Sequence, residues 1–336
     1  MSAGTPAGPP LRWFSAAEVS AAMPDIDERL RLAEVTMTAL ARPDAAQLPP
    51  KVAIHPRPAD SFVHAMPAHL RGESPADDLV GMKWVAGYAT NNALGLPSIS
   101  AIVVVNDAES GLPTAILDGG PITAQRTAAV SGLAIRRFGP SAEGGVDVAL
   151  IGAGVQGHSH LPVIGHVLPG ARMRLFDRDP ARAEQLAGVA RTTEGIAGVG
   201  VHRTAREAVE GAAVVVTAAS FGPAEERQSL TNEWLRGDAT VVPIDYATYV
   251  AAEVAREAAL FLVDDRGQYL ANRDAGNFDG YPDPSATMGE AILDGRPRPA
   301  GRVVICHLGV GLADLVFANA IVRSAVAQGL GTTLPR

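Results

Sequence analysis

A glycine-rich turn between an apolar strand and a helix restricts the fold of this sequence more than any other feature. Residues 148–151 read as a buried strand and lead into the pattern G-x-G-x-x-G. The first glycine of such a turn permits a tight bend, the second lets the backbone approach a pyrophosphate, and the third lets the helix pack against the strand. The pattern predicts a Rossmann-type dinucleotide site whose cofactor-contacting residues are Gly152, Gly154, Val155, Gln156 and Gly157.

An acidic residue lies at the distance from this turn that a nicotinamide dinucleotide requires. Asp177 follows the run RMRLF, about twenty residues beyond the glycines, where a carboxylate would accept hydrogen bonds from both ribose hydroxyls. Its negative charge would repel a 2′-phosphate, so the sequence favours NAD as the cofactor. Arg178 could instead pair with a 2′-phosphate, which keeps NADP as an alternative; otherwise Arg178 is a solvated arginine at a strand end.

The second half of the sequence alternates short apolar runs with helical segments. The runs are VALIGA, RLFD, AVVVTAA, TVVPID, LFLVDD and VVICHLG. Such alternation is typical of a doubly wound parallel sheet, whose strands are buried on both faces. From residue 50 to 118 the runs are separated by Gly, Pro, Asn and Ser, which predicts a mostly antiparallel sheet. The predicted fold class is α/β, a Rossmann-type doubly wound sheet with a smaller α+β domain.

Two helices are predicted in the first half of the chain. Residues 12–42 are predicted to be helical, because apolar residues recur at helical spacing and Ser15 and Glu18 have the spacing of a capping box. Pro121 is placed to be the first residue of a second helix, which runs to about Phe138.

The change in pattern along the chain sets the expected domain boundaries. We expect a first domain over residues 1–125 and a dinucleotide-binding domain over residues 126–310. A last helix, within residues 311–336, is expected to return to the first domain.

Composition excludes several classes of partner. The net charge of −8 and the lack of a Lys/Arg run would repel a phosphate backbone, so nucleic acid is not an expected partner. The apolar stretch 303–322 is interrupted by His307, Asp314 and Asn319, which makes it too polar for a membrane span. A single cysteine excludes a disulfide framework, and the N-terminus does not read as a secretory signal, so we expect a cytoplasmic protein.

Two cationic residues in the first half of the chain are candidates for binding a carboxylate. In the run GMKWVAG, strand alternation places Lys83 on the opposite face from Met82 and Trp84, although antiparallel strands often carry an ordinary lysine on a wet face. Arg126 lies near the start of a predicted helix among small residues, where its planar fork suits bidentate capture of a carboxylate. The alternative for Arg126 is a structural salt bridge.

Other polar residues admit both a functional and an ordinary role. Lys51 and His55 share one strand face, as do His64 and Met66 on the next run, and each alone is typical of a surface position. Asp245 ends a predicted parallel strand, at the edge where open α/β sheets bind their ligands. An aspartate at such a position can also cap a helix.

The histidines of the helix after the glycine turn do not predict a metal site. His158, His160 and His166 are not spaced by three or four residues, so they do not share one helix face as a ligand pair would. We therefore expect no metal, and interpret these residues as surface or capping histidines.

Together these segments resemble the ornithine cyclodeaminase and mu-crystallin family from about residue 12 to residue 330. The resemblance rests on the order of HAMPAH, MKWVAGYATNNALGLPSISA, NDAESGLPTAILDGGPITAQRTAA and VALIGAGVQG, followed by FLVDDRGQ and HLGVGLADL. It implies an N-terminal substrate and dimerisation domain, a Rossmann domain and a homodimer.

The resemblance also implies roles for individual residues. Lys83 matches the family's active-site lysine, Arg126 its carboxylate-binding arginine, and Thr127 a contact to the cofactor phosphate. Asp245 matches the family's general acid/base aspartate only loosely, because IDYATY replaces the cyclodeaminase pattern there.

Two positions depart from the cyclodeaminases. Lys51 stands where they have an arginine, and His64 where they have a glutamate that helps to hold the ornithine amine. Loss of that acid weakens the case for a diamino substrate. A lysine with a protonated histidine would favour a substrate with extra negative charge.

The residues and the resemblance predict an NAD(H)-dependent reductase of a small α-imino acid, equivalently an amino-acid dehydrogenase. Arg126, helped by Lys51, would bind the α-carboxylate, and Asp245 would transfer protons. Burial and the charge of Arg126 would lower the pKa of Lys83, so that it could act as an acid. The alternatives are an ornithine-type cyclodeaminase that recycles bound NAD, and a non-catalytic binding protein like some mu-crystallin relatives.

Overall fold

The strands and helices of the computed structural model follow the apolar patterns of the sequence. The structure describes residues 8–58, 61–220 and 226–335. The strands are β1 (Leu11–Phe14), β2 (Ala46–Gln47), β3 (Val52–Ile54), β4 (Phe62–Leu70), β5 (Leu79–Gly87), β6 (Ile99–Asn106), β7 (Pro113–Asp118), β8 (Asp147–Ile151), β9 (Ala171–Phe176), β10 (Ile196–Val201), β11 (Val214–Thr217), β12 (Thr240–Pro243), β13 (Leu260–Val263), β14 (Ala286–Thr287), β15 (Val303–Cys306) and β16 (Thr332–Leu334). The α-helices are α1 (Ala16–Ala21), α2 (Ile26–Leu40), α3 (Gly119–Phe138), α4 (Val155–Val167), α5 (Pro180–Ala190), α6 (Ala205–Val209), α7 (Ala252–Arg256), α8 (Arg266–Asp274), α9 (Met288–Leu293) and α10 (Gly311–Ala327). Short 3-10 helices cover Pro75–Asp77, Ala89–Leu94 and Asn232–Trp234.

The chain divides into two compact units, and the division falls inside α3, after Arg126. Unit 1 contains the described residues within 1–25, 42–126 and 310–336, and unit 2 contains those within 26–41 and 127–309.

The domain membership of helix α2 differs from the expectation, since α2 belongs to unit 2 and not to the first domain. The reason is its packing against α9. Gly289 of α9 lies so close to the carbonyl group of Met37 that no Cβ would fit between them.

The N-terminal segment is more divided than the single predicted helix. Residues Leu11–Phe14 form β1 because they pair with β7 and β16. The predicted capping box is confirmed at the start of α1, where Glu18 accepts the Ser15 N–H at 2.9 Å. Pro24, which lacks a backbone donor, lies in the break between α1 and α2.

Unit 1 is built on one mixed sheet with regular alternation of buried and exposed side chains. Its strand order is β16-β1-β7-β6-β5-β4-β2, with β3 paired to β4. The pairs from β7 to β2 are antiparallel, whereas β1 is parallel to β7. Helix α10 covers one face at β4, β5 and β6, where Leu315 lies against Gly81. The other face is partly open to solvent.

Unit 2 is a doubly wound parallel sheet, as the alternation of strands and helices predicted. Its order is β10-β9-β8-β11-β12-β15-β13-β14, and every pair is parallel. Alternate residues of β8 enter two apolar clusters, with Val148 and Leu150 in one and Ala149 and Ile151 in the other. The strand order reverses at β8 and β11, the kind of position at which open α/β sheets bind ligands.

The apolar C-terminal stretch forms a strand and a helix in different units. Strand β15 lies in the parallel sheet, and α10 belongs to unit 1 and carries Asp314 among buried apolar residues. Within the described residues, no helix has both the length and the apolar character needed to cross a membrane.

Candidate active site

The glycine-rich turn after β8 has the local geometry that a dinucleotide loop requires. Gly152 has φ +109°, and a Cβ there would lie 2.5 Å from the Ala218 carbonyl oxygen. A Cβ on Gly157 would lie 2.3 Å from the Gly152 carbonyl oxygen, so the helix packs closely on the strand. A Cβ on Gly154, the N-cap of α4, would meet no described atom within 4 Å. The backbone is therefore open to a ligand at the start of the helix.

Asp177 follows β9 and is tied to the same loop. Its Oδ2 accepts a hydrogen bond from the Ala153 N–H at 2.6 Å, and its Oδ1 accepts one from the Asp179 N–H at 2.9 Å. Arg178 turns toward Glu226, and the exposed side chains form an ion pair of 3.7 Å. A carboxylate is thus fixed beside the open helix N-terminus, and this pairing fits the ribose and pyrophosphate of an adenine dinucleotide.

The remaining predicted cofactor contacts lie on helices of unit 2. Val155 and Gln156 form the first turn of α4, and Val155 is exposed. Thr127 is buried in α3. Val155 and Gln156 therefore lie beside the glycine loop, whereas Thr127 is a buried residue of helix α3.

Asp245 follows β12 and is a buried carboxyl group at the end of a central strand. Its Oδ2 accepts a hydrogen bond from the Ala219 N–H at 3.2 Å. Burial raises the pKa of Asp245 to about 6, although hydrogen bonds from Ala219 and Thr217 act in the opposite direction. The next helix, α7, starts at Ala252, so Asp245 does not cap a helix.

The loop after Asp245 is held in a strained conformation. Tyr246 and Ala247 have φ +55° and +58°, and such left-handed residues cost on the order of 1–3 kcal/mol each. The Tyr246 hydroxyl donates to the Leu308 carbonyl at 2.8 Å, and the Thr248 hydroxyl donates to the Asp245 carbonyl at 2.5 Å. These bonds fix the backbone that carries the Asp245 carboxyl.

In unit 1, Lys83 and Arg126 are both paired with one carboxylate, that of Asp314. Lys83 Nζ lies 2.8 Å from Asp314 Oδ2, and Arg126 Nε lies 3.1 Å from Oδ1. Lys83 is 2% exposed and Asp314 is fully buried. Lys83 Nζ also donates to the Thr123 hydroxyl at 3.5 Å. Lys83 is therefore not on a wet face, and Arg126 does form the salt bridge that was its alternative role.

Lys83, Arg126 and Asp314 form a buried triad. Its environment brings the pKa of Lys83 close to neutral pH, so that both protonation states of the lysine are populated there. Burial lowers the pKa of Lys83 to about 7; the Asp314 charge opposes this shift, and Arg126 adds to it. Burial acts to raise the pKa of Asp314, but Arg126 and Lys83 outweigh it and hold that pKa below its usual value. Asp314 thus stays anionic while Lys83 titrates, as expected for a lysine close to Arg126.

The role of Asp314 was missed in the sequence. In the sequence, Asp314 is one of the polar residues that interrupt an apolar stretch. A single carboxylate in a helix whose neighbours are all buried needs a cation for a partner, so the signal was present. What the sequence did not show was that Lys83 and Arg126 provide it.

Lys51 and His64 lie on adjacent strands of unit 1. His64 is in β4, Lys51 directly precedes β3, and His64 stacks on Phe62 with ring centroids 4.6 Å apart. Burial, together with the charges of Lys51, His55 and Lys83, lowers the pKa of His64 to about 4. The expectation of a protonated histidine is therefore wrong near neutral pH, because its own surroundings disfavour the charge.

A buried hydrogen-bond chain in unit 2 joins two histidines. His160 Nδ1 lies 2.6 Å from the Gln156 carbonyl oxygen, and Ser131 Oγ lies 2.8 Å from both His160 Nε2 and His307 Nε2. Because a carbonyl only accepts, His160 donates from Nδ1, so the Ser131 hydroxyl donates to His160 and accepts from His307. The prediction of a surface or capping role for His160 is therefore wrong.

The other two histidines of α4 have ordinary surroundings. His158 is exposed, and His166 pairs with Asp27 at 2.9 Å. Over residues 8–58, 61–220 and 226–335, no group of three or more His, Cys, Asp or Glu side chains is arranged to hold a metal ion.

Comparison with known proteins relates these features to a family. A sequence profile of the ornithine cyclodeaminase/mu-crystallin family matches residues 18–325. The chain is 32% identical over 329 residues to the nodulation efficiency protein NfeD of Rhizobium meliloti, covering 96% of this chain and 98% of that protein. It is 30% identical over 269 residues to the ketimine reductase mu-crystallin of Mus musculus, covering 78% and 80%. Thermococcus litoralis Δ1-pyrroline-2-carboxylate reductase, solved with NADH and L-proline, matches with a TM-score of 0.82 at 22% identity, covering 96% and 100%.

The protonation of Lys83 is directly measurable because the sequence contains only two lysines, Lys51 and Lys83. In protein labelled with ¹³C at lysine Cε, we expect one NMR signal to titrate near pH 7 and to vanish in Lys83→Met, with Lys51→Arg assigning the other. The unfolded chain keeps the ordinary value of 10.5, so unfolding takes up a proton between these pH values. The Lys83 contribution to stability therefore rises with pH across that interval. A Lys83 signal that titrates near its ordinary pKa would contradict the burial of this group.

Removal of the Asp314 charge leaves the buried groups of Arg126 and Lys83 without their shared counterion. We expect Asp314→Asn to lower the free energy of unfolding by about 3–5 kcal/mol, measured by urea denaturation at neutral pH. Asp314→Glu, which keeps the charge, should lose less. The control is Asp294→Asn, which breaks an exposed pair with Arg296 and should change stability by at most about 1 kcal/mol. Equal losses in Asp314→Asn and Asp294→Asn would show that the buried triad does not stabilise the fold.

Proposed function

Because the chain belongs to the ornithine cyclodeaminase/mu-crystallin family, we propose that it is an NAD(H)-dependent oxidoreductase that reduces a small α-imino acid. The reaction consumes the imino acid, NADH and a proton, and yields the amino acid and NAD; in reverse, it is an amino-acid dehydrogenase. The observation that carries the proposal is the buried pair of Lys83 and Arg126 on one carboxylate. Cations fixed in this way suit binding of a substrate carboxylate.

The glycine loop and Asp177 support NAD as the cofactor. The Asp177 carboxylate is fixed beside the loop, where it suits ribose hydroxyls and repels a 2′-phosphate. NADP is the weaker candidate, because Arg178 is turned to Glu226. When bound, the nicotinamide supplies or accepts the hydride at the substrate α-carbon.

Arg126 and Lys83 would bind the α-carboxylate of the substrate. The hydrogen bond to Asp314 uses Nε of Arg126, and the Nη1 and Nη2 nitrogens form the other edge of the guanidinium, which suits a bidentate carboxylate. With a pKa of about 7, Lys83 is a cation that can also release a proton near neutral pH.

Asp245 would exchange protons with the substrate nitrogen. A carboxyl group with a pKa of about 6 can both donate and accept a proton near neutral pH, which suits general acid/base catalysis. Its strained loop and the Ala219 N–H hold the carboxyl in one orientation.

A reductase is favoured over an ornithine-type cyclodeaminase by the residues around His64. A diamino substrate needs an acid to hold its distal ammonium, whereas the described charged groups that shift the pKa of His64 are basic, namely Lys51, His55 and Lys83. The 30% identical ketimine reductase named above is a relative whose reaction is of the proposed class.

We also propose a homodimer that buries the open face of the first sheet. Trp84 and Ile102 lie directly opposite each other on β5 and β6 and are 42% and 37% exposed. Val52 and Ile54 of β3 are also exposed, at 61% and 55%. Grouped apolar side chains of this kind on a sheet are typical of a protein interface.

The proposed reaction is tested by supplying 2-oxo acids with ammonia or a simple amine and following NADH absorbance. We expect stoichiometric NADH consumption, and a fall in kcat of about 100-fold or more in Asp245→Asn, which removes the acid/base group. Asp238→Asn, which changes an exposed carboxylate paired with Arg236, is the matched control and should keep full activity. If ornithine instead releases ammonia with no net change in NADH, the protein is a cyclodeaminase; no turnover with either panel would favour a binding protein.

The proposed dimer is tested by charge substitution on the open sheet face. We expect the wild type to sediment as a dimer and Trp84→Glu to sediment as a monomer, because a buried unpaired carboxylate is unfavourable. The control is Val189→Glu, at a valine of α5 that is equally exposed at 43% and should remain dimeric. A monomeric wild type, or a dimer unaffected by Trp84→Glu, would exclude this interface.

A further inference from the structure

Strand register brings His64 and Lys83 of unit 1 to one face of the first sheet. In the pairing of β4 with β5, Met66 lies opposite Lys83 and His64 lies opposite Val85. Side chains two residues apart on a strand share a face. His64 and Lys83 therefore point to the same side, as diagonal neighbours about 7 Å apart.

Strand β3 extends the same face. Ala53 lies opposite His64, and Lys51 and His55 stand directly before and after β3 at two residues' distance from Ala53. If the strand alternation continues through these positions, both side chains point to the same side as His64. Their electrostatic effects agree with this placement. Lys51 and His55 both lower the pKa of His64, and Lys51 also lowers that of Lys83.

We call this set, formed by Lys51, His55, His64, Lys83 and Arg126, the cationic face. Among the residues that the structure describes, the charges that shift the pKa values of Lys83 and His64 come from other basic groups and from Asp314. That acid is already shared between Lys83 and Arg126. Basic groups therefore outnumber acids among the described residues of the cationic face, which favours an anionic ligand.

The use of lysine in this chain supports a special role for the face. Of the 28 lysines and arginines, only two are lysine, and both belong to the cationic face. An ammonium is a compact charge that can lose its proton when buried, whereas a guanidinium is larger and always charged. A chain that otherwise uses arginine thus has ammonium groups at these two positions.

We propose that the substrate is dicarboxylic, an α-imino or α-amino acid whose side chain ends in a second carboxylate that binds Lys51 and His64. This inference rests on the proposed function, in which Arg126 and Lys83 take the α-carboxylate. This assignment gives Lys51 a different role from the one expected from the sequence, since it binds the side-chain carboxylate and not the α-carboxylate. The neutral His64 ring, held by its stack on Phe62, donates one N–H to that carboxylate, and Lys51 supplies the charge.

The diagonal spacing of His64 and Lys83 sets the length of this substrate. Two carboxylates that reach side chains about 7 Å apart on one sheet face belong to a short chain, such as the imino acids formed from oxaloacetate or 2-oxoglutarate. A monocarboxylic substrate, such as the imine of pyruvate, leaves Lys51 and His64 unused.

The experiment compares kcat/KM for oxaloacetate and 2-oxoglutarate with that for pyruvate and 2-oxobutyrate, each with ammonia and NADH. We expect at least one dicarboxylic acid to exceed both monocarboxylic acids by about tenfold or more, because the second carboxylate makes a charged hydrogen bond that a monocarboxylic acid lacks. Lys51→Gln and His64→Leu should each lower this ratio severalfold, and Lys51→Arg should largely restore it. The matched control is His69→Gln, at a histidine of the same strand that pairs with Asp78 and should leave the ratio unchanged.

The outcomes separate this inference from the proposed function. Turnover of monocarboxylic acids at equal or higher kcat/KM would overturn the dicarboxylic substrate and leave the reductase intact. If nothing is turned over, calorimetric binding of aspartate, glutamate and alanine to the protein with NAD decides. Binding of aspartate or glutamate in preference to alanine, lost in Lys51→Gln, would support the second carboxylate site even though the reductase fails; equal or absent binding would overturn it.

Discussion

The ion pairs of Asp314 with Lys83 and Arg126 are the constraint on which the candidate site of unit 1 depends. Removing a charge from water costs several kcal/mol even in a relaxed protein interior, so neither cation would be stable at its buried position without a carboxylate. Helix α10 supplies that carboxylate from the far end of the chain. Because Asp314 bonds to Nε of Arg126 and to Nζ of Lys83, it fixes the positions of both groups.

The candidate residues of unit 2 follow a different rule, in which backbone N–H groups hold acids at the ends of parallel strands. Asp177 is held by the Ala153 N–H and Asp245 by the Ala219 N–H, each from the loop after a neighbouring strand. The two acids nevertheless differ, since burial raises the pKa of Asp245 to about 6 and Asp177 lies nearer to solvent. The same edge of the sheet thereby carries two carboxyl groups of different character. Asp177 suits the ribose of a dinucleotide, and Asp245 suits proton transfer.

The two faces of the first sheet serve different proposed purposes, and a single residue of register separates them. Lys83 points to the buried face, whereas its neighbour Trp84 is 42% exposed on the other. A shift of one residue in this strand would exchange the two sides completely. The apolar face can therefore be covered by a second copy of the chain without loss of the cationic face.

The sequence by itself determined the Rossmann-type sheet, the glycine turn with Asp177, the antiparallel front strands and the faces of Lys83 and His64, because these follow from local patterns with a fixed period. It did not determine the division of residues 12–42 into a strand and two helices, or the membership of α2 in unit 2, since those depend on pairing and packing with distant segments. Tertiary structure alone showed the partnership of Asp314 with Lys83 and Arg126 and the buried position of His160. Each of these two features joins side chains that are far apart in the chain. Local periodicity carries no information about such distant partners.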